Sequence, residues 1–284
     1  MSSPTVLALR SGLRRGWIEF RQSMTSREDL IGYLGVAVVF TVMAMFMRGE
    51  SVRGTDVPIA NMWLAGIVGF LVASSGITSV AQGLAVDRED GTLLRAKAVP
   101  HGMTAYLLGK AVYIIGVTAA SVTLLLVPAF LLFDGFGVYQ AADWITLAWV
   151  PVLGLLSMAP IGAVLGSLIT NPRATMGLIM LPFMALMGIS GVFYQVSGFP
   201  EWLQWIAQVF PLYWIALGMR SVFLPDSMLA IEIGEPWRLG EAALVMALWA
   251  AVGFVVAAAV LRRMARRESG SRMEAGRRRA MQRA

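Results

Sequence analysis

Long apolar runs alternate with short polar ones along almost the whole chain. A membrane-crossing helix needs about 20 mostly apolar residues, and six segments have that character: 30–47, 58–86, 104–133, 144–170, 174–196 and 240–261. The first is short, and the second and third are long enough to tilt or protrude. A seventh apolar region, 199–224, reads FPEWLQWIAQVFPLYWIALGMRSVFL. Its Pro200 and Pro211 bracket two helical pieces too short to span separately. Glu201 and Arg220 are poorly suited to a bilayer midplane, where a charge costs about 2.5–3.5 kcal/mol on insertion scales. The pattern predicts a re-entrant helical hairpin between spans five and six. Ahead of the first span, Val6, Leu9, Leu13, Trp17, Phe20 and Met24 recur every three or four residues, as on one face of an amphipathic helix lying along a membrane surface. The expected fold is therefore all-α and polytopic. It has an N-terminal segment 1–29, a six-helix transmembrane domain 30–261 with connections at 87–103 and 197–239, and a basic tail 262–284.

Composition agrees. Apolar residues make up 57% of the 284 and charged ones 14%, against about 25% charged in soluble domains. The basic residues sit at the edges of the apolar runs, which favours a membrane partner and no nucleic acid. Their distribution also orients the chain. Nineteen Lys and Arg fall on the side of the two termini, the 87–110 stretch and Arg173, and four on the other side. Both termini are expected to be cytoplasmic, in the cytoplasmic (inner) membrane, with the 197–239 hairpin outside. There Trp202, Trp205, Tyr213, Trp214 and Trp237 suit an interfacial aromatic belt. Residues 1–29 carry five arginines and no uninterrupted apolar core, which is not the pattern of a cleavable signal.

Candidate chemistry is sparse. The chain has no cysteine and one histidine, so a thiolate or imidazole metal cluster, a disulfide framework and a cysteine nucleophile are excluded. No acid falls near the centre of a span, which argues against proton coupling and against an ion-gradient-driven carrier, the alternative function. A membrane-embedded enzyme would need converging catalytic groups at one depth. On span two, Ser74, Thr78 and Gln82 fall four apart on one face; they either line a substrate entry or join helices. Phe183, Met184 and Met187 on span five either meet a greasy substrate or pack against neighbours. Gly162-x-x-x-Gly166 on span four predicts a close helix contact.

The most polar stretch between spans is AVDREDGTLLRAKAVP, in which six of the eleven residues from Asp87 to Lys97 are charged. Together with YLLGKA it resembles the cytoplasmic loop of type 2 ATP-binding-cassette (ABC) export permeases, whose Arg-Glu-x-Gly-Thr-Leu core and later Pro match Arg88, Glu89, Gly91, Thr92, Leu93 and Pro100. Ser190-Gly191-Val192-Phe193, Pro200, Trp202, Pro211 and Arg220 resemble the same family's fifth span and external hairpin. The likeness extends to the membrane subunits of daunorubicin-resistance-type exporters. It implies that Asp87, Arg88, Glu89, Asp90, Gly91, Thr92 and Leu93 form a coupling element docking on a separate ABC ATPase, present in two copies. It also implies a second permease copy or a paralogue. The chain carries no Walker A sequence, since GMTAYLLGKA has the wrong spacing. It is therefore expected to bind no cofactor itself and to be no enzyme, with ATP and Mg on the partner. A hydrophobic or amphipathic cargo, drug-like or lipid, would move outward.

Overall fold

The computed structural model describes residues 4–168, 172–234 and 236–267. Among these residues the regular structure is helical apart from one isolated bridge between Ser51 and Pro58. Five helices are long and apolar enough to cross a bilayer: α2 (Arg27–Phe46), α3 (Ile59–Glu89), α5 (Gly102–Leu132), α6 (Ala141–Leu168) and α10 (Leu239–Arg267). They occupy the places of expected spans one, two, three, four and six. The fifth is α7 (Pro172–Ile189), whose 18 residues give about 27 Å of helix, near the short limit for crossing. It ends at Ile189 rather than at 196 because the chain turns at Gly191, whose φ of +74° is a conformation that favours glycine.

The remaining helices are α1 (Pro4–Thr25), α4 (Thr92–Lys97), α8 (Glu201–Val209) and α9 (Pro211–Phe223). The last two form one bent unit, broken by 91° at Phe210, with Pro211 at the first position of α9, where its missing N–H costs no bond. Tyr213, near the start of α9, accepts a 2.7 Å hydrogen bond from Arg238, and Arg220, near its end, donates to Gly191 and Glu232. Both ends of α9 are thus tied to segments at one end of the bundle, so the pair enters and leaves on the same side. That end is called the hairpin end here. The opposite, loop end carries residues 90–101, the start of α5 and Leu261 of α10.

The core centres on α3, packed against α6 and α9, with α6 also against α10. Glycines let backbones meet. A Cβ at Gly162 would lie 2.4 Å from the Ile77 carbonyl oxygen, and one at Gly166 2.7 Å from that of Ala81, so the expected close contact of α6 is with α3. Every residue of α9 is buried. By contrast α2 and α10 turn large apolar side chains outward, among them Phe46, Leu244 and Val255, as helices bathed in lipid do.

In α1 two faces have different tasks. The apolar residues Val6, Leu9, Leu13 and Trp17 are exposed, as an interfacial face would be. The adjoining small-residue face, Ala8, Gly12, Gly16 and Ser23, about 100° round the helix, is buried. A Cβ at Gly12 would lie 2.8 Å from the Ala105 oxygen, and one at Gly16 2.4 Å from that of Gly109. Phe20 follows against Gly116. Because the paired positions rise together, α1 runs alongside the first half of α5 rather than across it. The apolar periodicity predicted the exposed Val6, Leu9, Leu13 and Trp17, but it set Phe20 and Met24 on the same face, where both are partly buried, and it left the docked face unnoticed.

Candidate functional site

At the loop end α3 stops at Asp90, Gly91 reverses the chain with φ of +75°, and the single-turn-and-a-half α4 follows. Asp90 accepts the Thr92 backbone N–H at 2.8 Å, an Asx turn that fixes the reversal just ahead of α4. Burial alone would raise the Asp90 carboxyl, but the bonds from Thr92 and the charge of Arg95 outweigh it and hold the group below its ordinary range. Arg95 donates to the Thr92 hydroxyl at 3.0 Å.

The seven residues expected to face an ATPase do not all point outward. Leu93 is buried with Leu84 and Tyr106 in a small apolar cluster that also touches Met103 and Leu261. Asp87 is 6% exposed, accepts the Tyr106 hydroxyl at 2.7 Å and pairs with Lys110 at 3.0 Å. Arg88 donates to the Ser167 carbonyl of α6 at 3.3 Å, while Gly91 and Thr92 are half-buried. The Glu89 side chain lies outside the described residues. Outward-facing groups are Asp90, Arg95 and Val99, with Pro100 and His101 beside them. Val99 is 60% exposed, an apolar side chain on a polar loop that sequence reading did not single out.

Lys110 ties this base to α1. Its ammonium lies 3.2 Å from Glu19 as well as 3.0 Å from Asp87, and Arg15 bonds Glu19 at 2.8 Å. The rings of Tyr106 and Tyr113 lie 5.9 and 6.0 Å from the ammonium, within cation–π reach. The signal available in sequence was the spacing of four between Arg15 and Glu19 on α1 and between Tyr106 and Lys110 on α5. Nothing local joined those pairs to Asp87.

Above the network, α1, α2, α3 and α5 enclose an open cavity of about 780 Å³. Ser74, Thr78 and Gln82 line it as one face of α3, and Asp87, Lys110, Tyr33 and Tyr113 complete its polar wall. The other residues singled out for a pathway lie elsewhere. Phe183 is buried and stacks on Phe70 with centroids 5.8 Å apart, Met187 packs partly buried against the core, and Met184 is exposed. Two groups considered together in sequence are therefore separate places, a polar cavity and an apolar helix face.

At the hairpin end Arg220 is 2% exposed. It meets Glu232 through two bonds of 2.6 and 3.1 Å and donates to the Gly191 carbonyl at 2.7 Å. Charge pairing by Glu232, which sequence reading had not marked, is what lets an arginine sit inside the fold. Ser190 is buried and bonds the Met187 carbonyl. Phe193 stacks on Trp63, Pro200 precedes the first turn of α8, and Trp202 is exposed.

This is a multi-pass helical membrane protein with a rigidly based polar segment at one end and a sealed re-entrant hairpin at the other. The chain belongs to the ABC-2 family: the model for the ABC-2 family transporter protein matches residues 30–259. Among curated proteins, none matches the sequence. The chain is thus an ABC transporter permease, a transport subunit of a family whose ATPase typically resides on a partner.

Proposed function

We propose that this permease is the membrane subunit of an exporter that moves a hydrophobic or amphipathic cargo, drug-like or lipid, outward across the cytoplasmic membrane. Both termini and residues 90–101 face the cytoplasm, following the distribution of Lys and Arg. Two ATPase subunits dock there and bind ATP and Mg, and a second permease copy or a paralogue completes the transporter. The observation that carries this reading is the construction of the loop end. Asp87 and Leu93 anchor a short helix inside the protein while Asp90, Arg95 and Val99 remain outside. A push on α4 therefore reaches α3 and α5 through buried groups rather than being lost in a slack loop. Ionic groups also line the cavity, but membership of the ABC-2 family supports ATP over an ion gradient as the energy source.

The test is co-purification with the candidate ATPase. An Arg95→Glu plus Val99→Asp variant alters only outward-facing groups and is expected to insert normally and lose the ATPase. Retention at the wild-type level would remove residues 90–101 from the docking surface.

A further inference from the structure

We propose that the cavity among α1, α2, α3 and α5 binds an amphipathic organic cation, and that Lys110 is the resident cation which this cargo displaces. The inference deepens the exporter reading and rests on it. At about 780 Å³ the cavity lies within the range of small-molecule sites, about 300–1,000 Å³, and is too small for a polymer. Its charge is unbalanced: Glu19, Asp29 and Asp87 line it against Lys110, and Arg15 offsets Glu19 from behind the wall, which leaves one carboxylate in excess. Asp29 has no cationic partner among the described residues. Ser23 gives its one hydroxyl proton to Asp29 at 2.8 Å, so Tyr33 donates to Ser23, also at 2.8 Å.

The hydroxyls favour the same sign. Ser74 and Thr78 direct their protons to backbone carbonyls of their own helix, Leu71 at 3.1 Å and Ser74 at 2.7 Å. Their lone pairs are left for a donor in the cavity. An ammonium finds hydroxyl acceptors and the Asp29 carboxylate there; a carboxylate or phosphate meets that same charge, with Lys110 already engaged by Glu19 and Asp87. Lys110 already shows how an ammonium is held, by two carboxylates and the faces of two tyrosines.

A second cavity, at the hairpin end, independently repeats this chemistry. It measures about 360 Å³ and is lined by Asp143, Asp226, Tyr139 and Trp237, with no Lys or Arg in its wall. A cargo cation would therefore meet carboxylates and aromatic faces at both ends of the bundle. Displacing Lys110 also has a consequence for coupling. Asp87 lies three positions before Asp90, so exchange of its partner alters the base on which residues 90–101 stand.

The test uses the full chain in phosphatidylcholine nanodiscs and two probes of matched size and opposite charge, naphthylethylammonium and naphthylpropanoate. Binding is measured by equilibrium dialysis against empty nanodiscs. The ammonium is expected to bind saturably and the carboxylate only to partition as it does into lipid alone. Asp29→Asn should weaken ammonium binding by about three- to tenfold, the scale of one charge-assisted contact. Lys110→Met should tighten it, because Asp87 loses its resident cation while Glu19 keeps only Arg15. A merely loosened structure would weaken binding in both variants. Equal binding of the two probes, or weaker ammonium binding in Lys110→Met, would overturn the inference. The two readings fail separately: a chain that captures its ATPase yet shows no saturable ammonium binding refutes the cargo alone. Ammonium binding by a chain that captures no ATPase supports the cation site and refutes the docking reading.

Discussion

At the hairpin end Arg220 meets a single carboxylate, Glu232, in a two-bond pair sealed beside α9. At the loop end Lys110 is shared between Glu19 and Asp87 at the wall of an open cavity. The first arrangement fixes a geometry, since nothing can replace either partner without leaving a buried charge. The second is exchangeable, since water or another cation can reach it. One end of this permease is built to stay as it is, the other to change partners.

The largest effect expected from that contrast is at Arg220. Arg220→Met leaves Glu232 buried and unpaired and should cost about 3–5 kcal/mol, seen as a much lower unfolding midpoint in detergent. Arg220→Met combined with Glu232→Leu should recover most of the loss, and failure to recover would mean that the bond to Gly191 matters more than the charge. Next is Gly162→Ala, which pushes a Cβ against the Ile77 oxygen and should cost about 1–3 kcal/mol through overpacking. Tyr106→Phe removes one bond from Asp87 while Lys110 stays, so a loss of about 1 kcal/mol is expected. Hydrogen exchange should place that loss at residues 87–97. Gly83→Ala, with nothing within 4 Å of the added Cβ, should stabilise α3 by about 0.5–1 kcal/mol, and a loss there would show the cavity wall to be tighter than the core.

The smallest expected effect is a pH dependence at Asp90. Because the folded group titrates below its ordinary value of 3.8, its contribution is complete above that value and is lost as pH falls through the lower folded one. Amide protection in α4 should fade over that acid window, and Asp90→Ala should flatten the profile.

Much of this fold could be read along the chain because apolar runs report helices directly. Gly162 and Gly166 reported their contact because close backbone approach needs small residues at a fixed spacing. Ser74, Thr78 and Gln82 fell on one face by periodicity alone, and that face lines the cavity. The charged pairs were not legible. Glu19, Asp87 and Lys110 come from three helices, and no local pattern states which acid a distant lysine will choose. Glu232 was hidden likewise, in an irregular stretch with no period to place it. Phe183, Met184 and Met187 are neighbours in sequence, yet a helix turns successive residues through about 100°; one is buried, one exposed and one between.

The docking of α1 on α5 carries a consequence for the order of synthesis. Gly16 and Gly109, which touch in the finished protein, leave the ribosome 93 residues apart. At about 5–20 residues per second that is a wait of roughly 5 to 20 s. During it the small-residue face of α1 has no partner, and the exposed Val6, Leu9, Leu13 and Trp17, together with the span α2 that follows at Arg27, hold the helix at the membrane until α5 arrives. The exposed apolar stripe thus acts as a mooring, keeping the first helix made in reach of the surface that α5 brings.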